Sequence, residues 1–262
     1  MQLNFRQYSE SGEPLFILHG LFGSLGNWGA HSKFLSAHFS VLGVDLRNHG
    51  DSFHDFELNY PVMAEDVLAL MDHLNIGSAS FIGHSMGGKV AMELALSVGE
   101  KINKLMVVDI APVAYPETAD GHLKVIEGMK SLDFSEISNR KEAEHILEGF
   151  IEDSATRKFV LTNLVRSDNG AYNWRLNLES IEQNYNRLRE KPSGSIPFLK
   201  PCLFVKGAES SYIQEQHKPE ILELFPNAQV KIIMQAGHWL HADKPQAFQK
   251  IAMDFLQTEE TA

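Results

Sequence analysis

Cysteine is nearly absent. Cys202 stands alone among 262 residues, so no disulfide forms within the chain. A chain of this length builds a sizeable core without such staples. Cys202 lies in the apolar run "PCLFVKG" and reads as a core residue rather than a reactive thiol. This usage suits a reducing compartment. No run of ~18 apolar residues occurs, so no integral membrane association is expected. The opening "MQLNFRQYSESGEP" has no basic start followed by an apolar stretch. No secretory signal is expected, and the expected place is the cytoplasm. Positive charge is scarce: 23 Lys and Arg against 34 Asp and Glu, a net −11 with histidines neutral. That disfavours a nucleic-acid partner, which would need a basic face for phosphates. A local basic pocket for an anionic ligand stays compatible with it. There is no His-Glu-x-x-His motif, and the pair His238 and His241 has no convincing third ligand. No metal or organic cofactor is expected.

What is present is a series of short apolar runs bounded by turn residues. They are "PLFILHG" (14–20), "SVLGVDL" (40–46), "ASFIGHS" (79–85), "KLMVVDI" (104–110), "CLFVKG" (202–207) and "QVKIIMQ" (229–235). Runs apolar on both faces fit buried parallel strands. Helical patterns lie between most of them. Pro61 suits a first helical turn, after which Met63, Val67, Leu70 and Leu74 share a face. Val90, Met92, Leu94 and Leu96 crowd a helix after Ser85, and Phe248, Ile251, Ala252 and Phe255 make an amphipathic closing helix. This alternation predicts an α/β domain around a mostly parallel sheet.

Between Ile110 and Cys202 the rhythm changes: charge rises and no comparable strand run appears. "NRKEAEHILEGFIED" and "LNLESIEQNYNRL" read as helices. The expected organisation is a core of residues 1–112 and 199–262 with a helical cap over 113–198. No Gly/Ser-rich linker, internal repeat or low-complexity segment separates them.

The sequence "FIGHSMGGKV" (81–90) places Ser85 between glycines where a strand gives way to a helix. That is the context of a nucleophile elbow, a strained turn in which neighbouring positions must be small. The Met86 amide, at the helix start, is then placed to donate to a developing oxyanion. A second amide follows the early strand in "ILHGLFGS": Leu21 is the candidate and Phe22 the alternative. A serine hydroxyl needs a base. "IIMQAGHWLHADKP" supplies His238 on a loop directly after a strand, with His241 already descending toward the last helix. His31, His122 and His145 read as solvated or half-buried residues. For the acid, "AESSYI" after "CLFVKG" offers Glu209 where an aspartate is common, while Asp109 ends "KLMVVDI". Asp109 is preferred: a carboxylate in an apolar run needs a partner, and it falls between Ser85 and His238 in the chain, as the order demands.

"HGLFGS", "DLRNHGDS" (45–52), "GHSMGG" and "AGHWLHADKP" occur together and in the order of the α/β-hydrolase superfamily, which the chain resembles. "VVDIAPV", "LTNLV", "YNWRLNL" and "FVKGAESSYI" extend the resemblance to the YbfF-like small bacterial esterases and their mitochondrial abhydrolase relatives, across nearly the whole chain. The resemblance implies an esterase acting on acyl esters, with acyl-CoA thioesters as suggested substrates. In "DLRNHGDS", Asp45, Arg47, His49 and Ser52 read as a hydrogen-bonded brace rather than as catalysts.

The expected function is a serine esterase or thioesterase working through Ser85, His238 and Asp109, with the Leu21 and Met86 amides as oxyanion hole. The alternatives are a carbon–carbon bond hydrolase or menaquinone-pathway type lyase on the same fold, or a non-catalytic hydrolase-fold protein. Dehalogenases and epoxide hydrolases are disfavoured, because they use an aspartate where Ser85 stands. In the cap, Leu161, Leu164 and Trp174 either line an acyl tunnel or merely dock the cap. Arg175 is the candidate for an anionic group on the substrate, with an ion pair as its alternative. Acyl length, leaving group and oligomeric state stay open.

Overall fold

The buried runs become strands because their branched and aromatic side chains pack on both faces of a pleated sheet. A computed structural model describes residues 1–116, 121–168 and 170–258. Its strands are β1 (Phe5–Gln7), β2 (Glu13–Leu18), β3 (Phe39–Val44), β4 (Ala79–His84), β5 (Ile102–Val108), β6 (Leu164–Arg166), β7 (Tyr172–Trp174), β8 (Cys202–Gly207) and β9 (Ala228–Ile233). Seven of them form one sheet in the order β1-β3-β2-β4-β5-β8-β9. Only β1 runs antiparallel, paired with β3 through Arg6 and Gly43. The remaining pairs are parallel. The α/β-hydrolase fold expected from the motifs is the fold observed.

The sheet divides the core in two. Leu15, Ile17, Val41, Ile82, Met106 and Val108 face a cluster that includes Trp28, Leu240 and Phe248. Phe16, Leu18, Leu42, Phe81, Leu105 and Val107 face the other way, toward a larger one. The first layer holds α1 (Gly29–Leu35) and, at the chain's end, a last helix at Pro245–Gln257. The second holds α2 (Tyr60–His73) and α3 (Met86–Ser97). Helix α2 starts where the Asn59 side chain accepts from the Val62 amide, with Pro61 in the first turn. Met63, Val67 and Leu70 are buried as read, and Leu74 falls just past the helix end.

Three details differ from the sequence reading. Strand β1 was not anticipated; its residues are half-buried or exposed, so it carries no apolar run. Strand β9 is an edge strand, and Val230 and Ile232 are exposed rather than buried on both faces. The segment between β5 and β8 is not wholly helical. It contains α4 (His122–Lys130), α5 (Arg140–Leu147), α6 (Ser154–Leu161), α7 (Leu178–Gln183) and α8 (Tyr185–Leu188), and also the β6–β7 hairpin. Three-residue strands are too short to leave a periodic signal. The segment has no core of its own: Ile126, Met129, Leu147, Val160 and Ile181 join the cluster around α3. After β8 come α9 (Lys218–Leu224), α10 (Leu240–Asp243) and α11, the last helix already noted.

The glycines around Ser85 answer to contact. A Cβ at Gly83 would overlap the Gly87 carbonyl, and one at Gly87 would overlap the carbonyls of Leu18 and His19. Strand β4, the start of α3 and the end of β2 meet backbone to backbone there. Replacing Gly83 with alanine is expected to destabilise the protein by about 2 kcal/mol or more, as overpacking does. The urea midpoint measures this, and an unchanged midpoint would refute the close approach.

Candidate active site

Strand β2 has β3 on one side and β4 on the other, so the chain reverses direction across the sheet there. Open α/β sheets place ligands outside the carboxyl ends of strands at such a switch point. The candidate residues gather at this edge. Ser85 follows β4 with φ 52° and ψ −118°, a strained conformation for a residue with a side chain. Its amide donates to the Val108 carbonyl at 3.0 Å, and its own carbonyl receives the Lys89 amide at 3.1 Å. One residue is thus shared between sheet and helix.

Asp109 follows β5, also at positive φ (52°), and has no exposed surface. Its Oδ2 accepts from His238 Nδ1 at 2.8 Å, and its Oδ1 accepts from the Gly207 amide at 3.0 Å. The Ser210 hydroxyl also donates to Oδ2. Glu209, the alternative acid, is exposed, and its amide donates to the Ala236 carbonyl. The loop after β8 therefore offers Asp109 a hydroxyl instead of replacing it with a carboxylate. Sequence reading passed over Ser210; the signal was the missing aspartate in a loop that kept polar residues. With a proton on Nδ1, His238 has a bare Nε2, which can accept a proton from a hydroxyl. Two contacts fix the ring. Tyr212 stacks on it with centroids 4.0 Å apart, and His84 Nε2 donates to the His238 carbonyl at 3.0 Å.

Ser85 and His238 both line a cavity of about 580 Å³, together with Leu21, Phe22, Phe159 and Trp239. Leu21 and Met86 meet beside Ser85 in a small recess of about 30 Å³. Met86 is the first residue of α3, so no turn of that helix precedes its amide. The alternative donor Phe22 sits at φ 60°.

The cap residues chosen from sequence lie elsewhere. Leu164 is fully buried in the core, the Trp174 indole donates to the Met129 carbonyl at 2.9 Å, and Arg175 lies 3.7 Å from the Asp51 carboxylate. None of the three, nor Leu161, lines the cavity. For Trp174 and Arg175 the reason is the hairpin: β7 turns the first onto α4 and leaves the second, just past it, against the loop after β3 instead of the cavity. Helix α6 supplies the wall, through Thr156, Phe159 and Val160, with Asp153 just before it. The "DLRNHGDS" loop is a brace as read. Asp45 accepts from Asn4 Nδ2 and from the Leu25 and Asp51 amides, and Arg47 pairs with Asp66.

The sequence matches the alpha/beta hydrolase fold family over residues 13–245. The chain belongs to this family. It is 39% identical over 249 residues to the sn-1-specific diacylglycerol lipase ABHD11 of Mus musculus, covering 92% of this chain and 80% of that one. It is 35% identical over 263 residues to esterase YbfF of Escherichia coli K12, covering 98% and 99%. A solved marine microorganism esterase superposes with a TM-score of 0.95 at 42% identity, covering 97% of this chain and 99% of that one. The protein is a hydrolase, and the resemblance read from its motifs holds.

Burial disfavours the charged form of several histidines near the cavity. Burial pushes His84 well below the usual histidine range, helped by His241 and His238. Burial also brings His241 down to about 3, with His31 beside it, and His49 to about 3, with His19 beside it. His31 is not solvated, as read from sequence, but buried, its Nε2 donating to the His241 carbonyl. His122 does line the cavity, and His145 is exposed. Among the described residues, no group of three or more His, Cys, Asp or Glu side chains could hold a metal ion.

A histidine whose folded pKa is depressed binds fewer protons than the unfolded chain once pH falls below ~6.5, so stability is lost with acid. Urea unfolding should show stability intact at pH 7. By pH 5 it should fall by about 1–2 kcal/mol each for His49 and His241. His49→Gln should flatten that slope; an unchanged slope would refute its neutral burial.

Proposed function

We propose that the chain is a serine esterase that hydrolyses uncharged acyl esters through an acyl-enzyme, with residues 113–198 as its cap. The observation that carries the reading is the His238 Nδ1 bond to buried Asp109, with Ser85 at an elbow in the same cavity. His238 Nε2 takes the Ser85 proton as Oγ attacks the ester carbonyl. The Leu21 and Met86 amides receive the oxyanion, and the dipole of α3 adds to the Met86 donor. The imidazolium, stabilised by Asp109, returns its proton to the departing alkoxide. Water then repeats the sequence on the acyl-enzyme and frees the acid. No metal or organic cofactor enters any step.

The leaving group follows from the wall. Among the described residues no lysine or arginine lines the cavity, while Asp153 and Asp243 do. Hydrogen bonds from the Thr156 hydroxyl and amide hold Asp153 below the usual carboxylate range, so it stays charged at neutral pH. Beside a net charge of −11, such a wall repels a polyanionic leaving group. Uncharged esters come first, and acyl-CoA thioesters, whose nucleotide must stay outside, come second. The names of the esterase and lipase relatives support ester hydrolysis over the carbon–carbon hydrolase and lyase alternatives. Among the described residues no helix is long and apolar enough to cross a membrane, and we place the enzyme in the cytoplasm.

A fluorophosphonate probe should label the native enzyme and leave Ser85→Ala unlabelled; equal labelling would end the proposal. Asp109→Asn should lose on the order of 10⁴ in kcat. Glu209→Gln should keep near-native turnover, and the reverse order would reassign the acid.

At equal acyl chain, kcat/KM for a p-nitrophenyl ester should exceed that for the acyl-CoA by at least about tenfold. Raising the salt should narrow the gap by screening. A preference for the CoA thioester would refute the charge argument.

A further inference from the structure

Lys89 is an anomaly in α3. It sits one turn past Ser85 in a helix buried from Met86 to Leu96, and it is 1% exposed. Burying an ammonium costs several kcal/mol unless its protons are all satisfied, and burial brings Lys89 down to about 7, so the three-donor ammonium is the form present on the acid side of neutrality. All three protons are used. Nζ donates to the Val113 carbonyl at 2.8 Å, to the Arg189 carbonyl at 3.3 Å and to the Glu190 carbonyl. Val113 is where the chain enters the cap, and Arg189 and Glu190 follow the cap's last helix, α8, on the way out. One side chain therefore holds both crossings.

Other groups complete the knot. The Tyr115 amide donates to the Arg189 carbonyl at 2.9 Å, joining the two crossings directly. The Tyr60 hydroxyl donates to the Leu188 carbonyl. One turn along α3, buried Glu93 accepts from the Ser193 amide at 2.6 Å and hydroxyl at 2.7 Å. Nζ also lies 4.9 Å from the centre of the Tyr115 ring. From Tyr115 the path continues to the candidate base. Its hydroxyl accepts from the Ala111 amide at 2.9 Å, two residues past Asp109, and donates to the Tyr212 carbonyl at 2.5 Å. The Tyr212 ring is the one stacked on His238.

We propose that Lys89 is a positioning residue: it locks both crossings of the cap to the nucleophile helix and, through Tyr115 and Tyr212, sets the His238 ring. Its catalytic part rests on the esterase reading; its structural part does not. The lock explains how a cap without a core of its own keeps α4 and α6 in the cavity wall. Helix, cap and base are tied at one point rather than held separately.

The test uses Lys89→Met, which keeps length and removes the three donors, and Tyr115→Phe, which removes only the hydroxyl. In Lys89→Met, hydrogen exchange at the Tyr115 amide should rise at least tenfold while sheet amides stay protected. Exchange unchanged at Tyr115 overturns the lock, whatever the enzyme hydrolyses. On p-nitrophenyl esters, Lys89→Met should lose on acetate about the factor that Tyr115→Phe loses, through His238, and at least threefold more than that in kcat/KM on octanoate, whose chain reaches the cap wall. Equal losses on both overturn the positioning of the wall. Tyr115→Phe should lower kcat three- to tenfold with KM unchanged, and native kcat would overturn the link to His238. If Lys89→Met does not fold, exchange of the Tyr115 amide in Lys89→Gln, whose shorter side chain cannot span both crossings, decides the lock: a tenfold rise with a native sheet supports it, and native protection overturns it.

Discussion

A carboxylate with no exposed surface must be given hydrogen bonds by whatever surrounds it, and Asp109 sets that demand on this fold. A lone buried charge costs far more than any single contact returns. Asp109 therefore draws on three separate parts of the chain: the end of β8 through Gly207, the following loop through Ser210, and the loop after β9 through His238. Each is far away in sequence, so the bonds fix how the right half of the sheet closes at its carboxyl edge. His238 is held at one ring nitrogen by that requirement. The remaining nitrogen is left to the cavity.

Backbone strain follows the same edge. Among the described residues, positive φ without glycine occurs at Phe22, Asn48, Asn75, Ser85, Asp109 and Gln235. All but Asn75 lie just past the carboxyl end of a sheet strand. Such conformations persist only where surrounding structure over-determines them. Here the restraints are visible: Ser85 is bonded to β5 through Val108, Asp109 to β8 through Val205, and Asn48 to Phe53 across its loop. The rigid sheet below carries the strain of the loops above it.

This division explains what could be read from the sequence. The buried strands β2, β3, β4, β5 and β8 announce themselves, because both faces are apolar and the run is long enough to see. The places of the candidate nucleophile Ser85 and the candidate base His238 at one edge were legible, because an elbow needs small neighbours and a loop directly after a strand opens at that edge. Asp109 was legible from the cost of burying a carboxylate. The short strands β1, β6 and β7 were not, since three residues show no period. Nor was the wall of the cavity. Which face of a cap helix looks inward depends on how the cap docks, and that rests on contacts between residues about a hundred positions apart. Trp174 and Arg175 are prominent in sequence yet turned to local partners, while the plainer Thr156 and Val160 face the cavity.

Lys89 follows the same logic as Asp109 with the sign reversed, and burial brings it down to about 7 even with its donors satisfied. An apolar stretch of helix tolerates a lysine only when backbone carbonyls converge on it, and carbonyls converge only where a chain is not busy making helix or sheet. The two crossings of the cap are such places. Polar groups buried in a core cost stability unless every bond is made, and a network with every bond made admits few alternative arrangements. Asp109 and Lys89 thus constrain the two features that packing alone leaves loose. One sets the angle of the His238 ring, and the other sets where the cap stands over it.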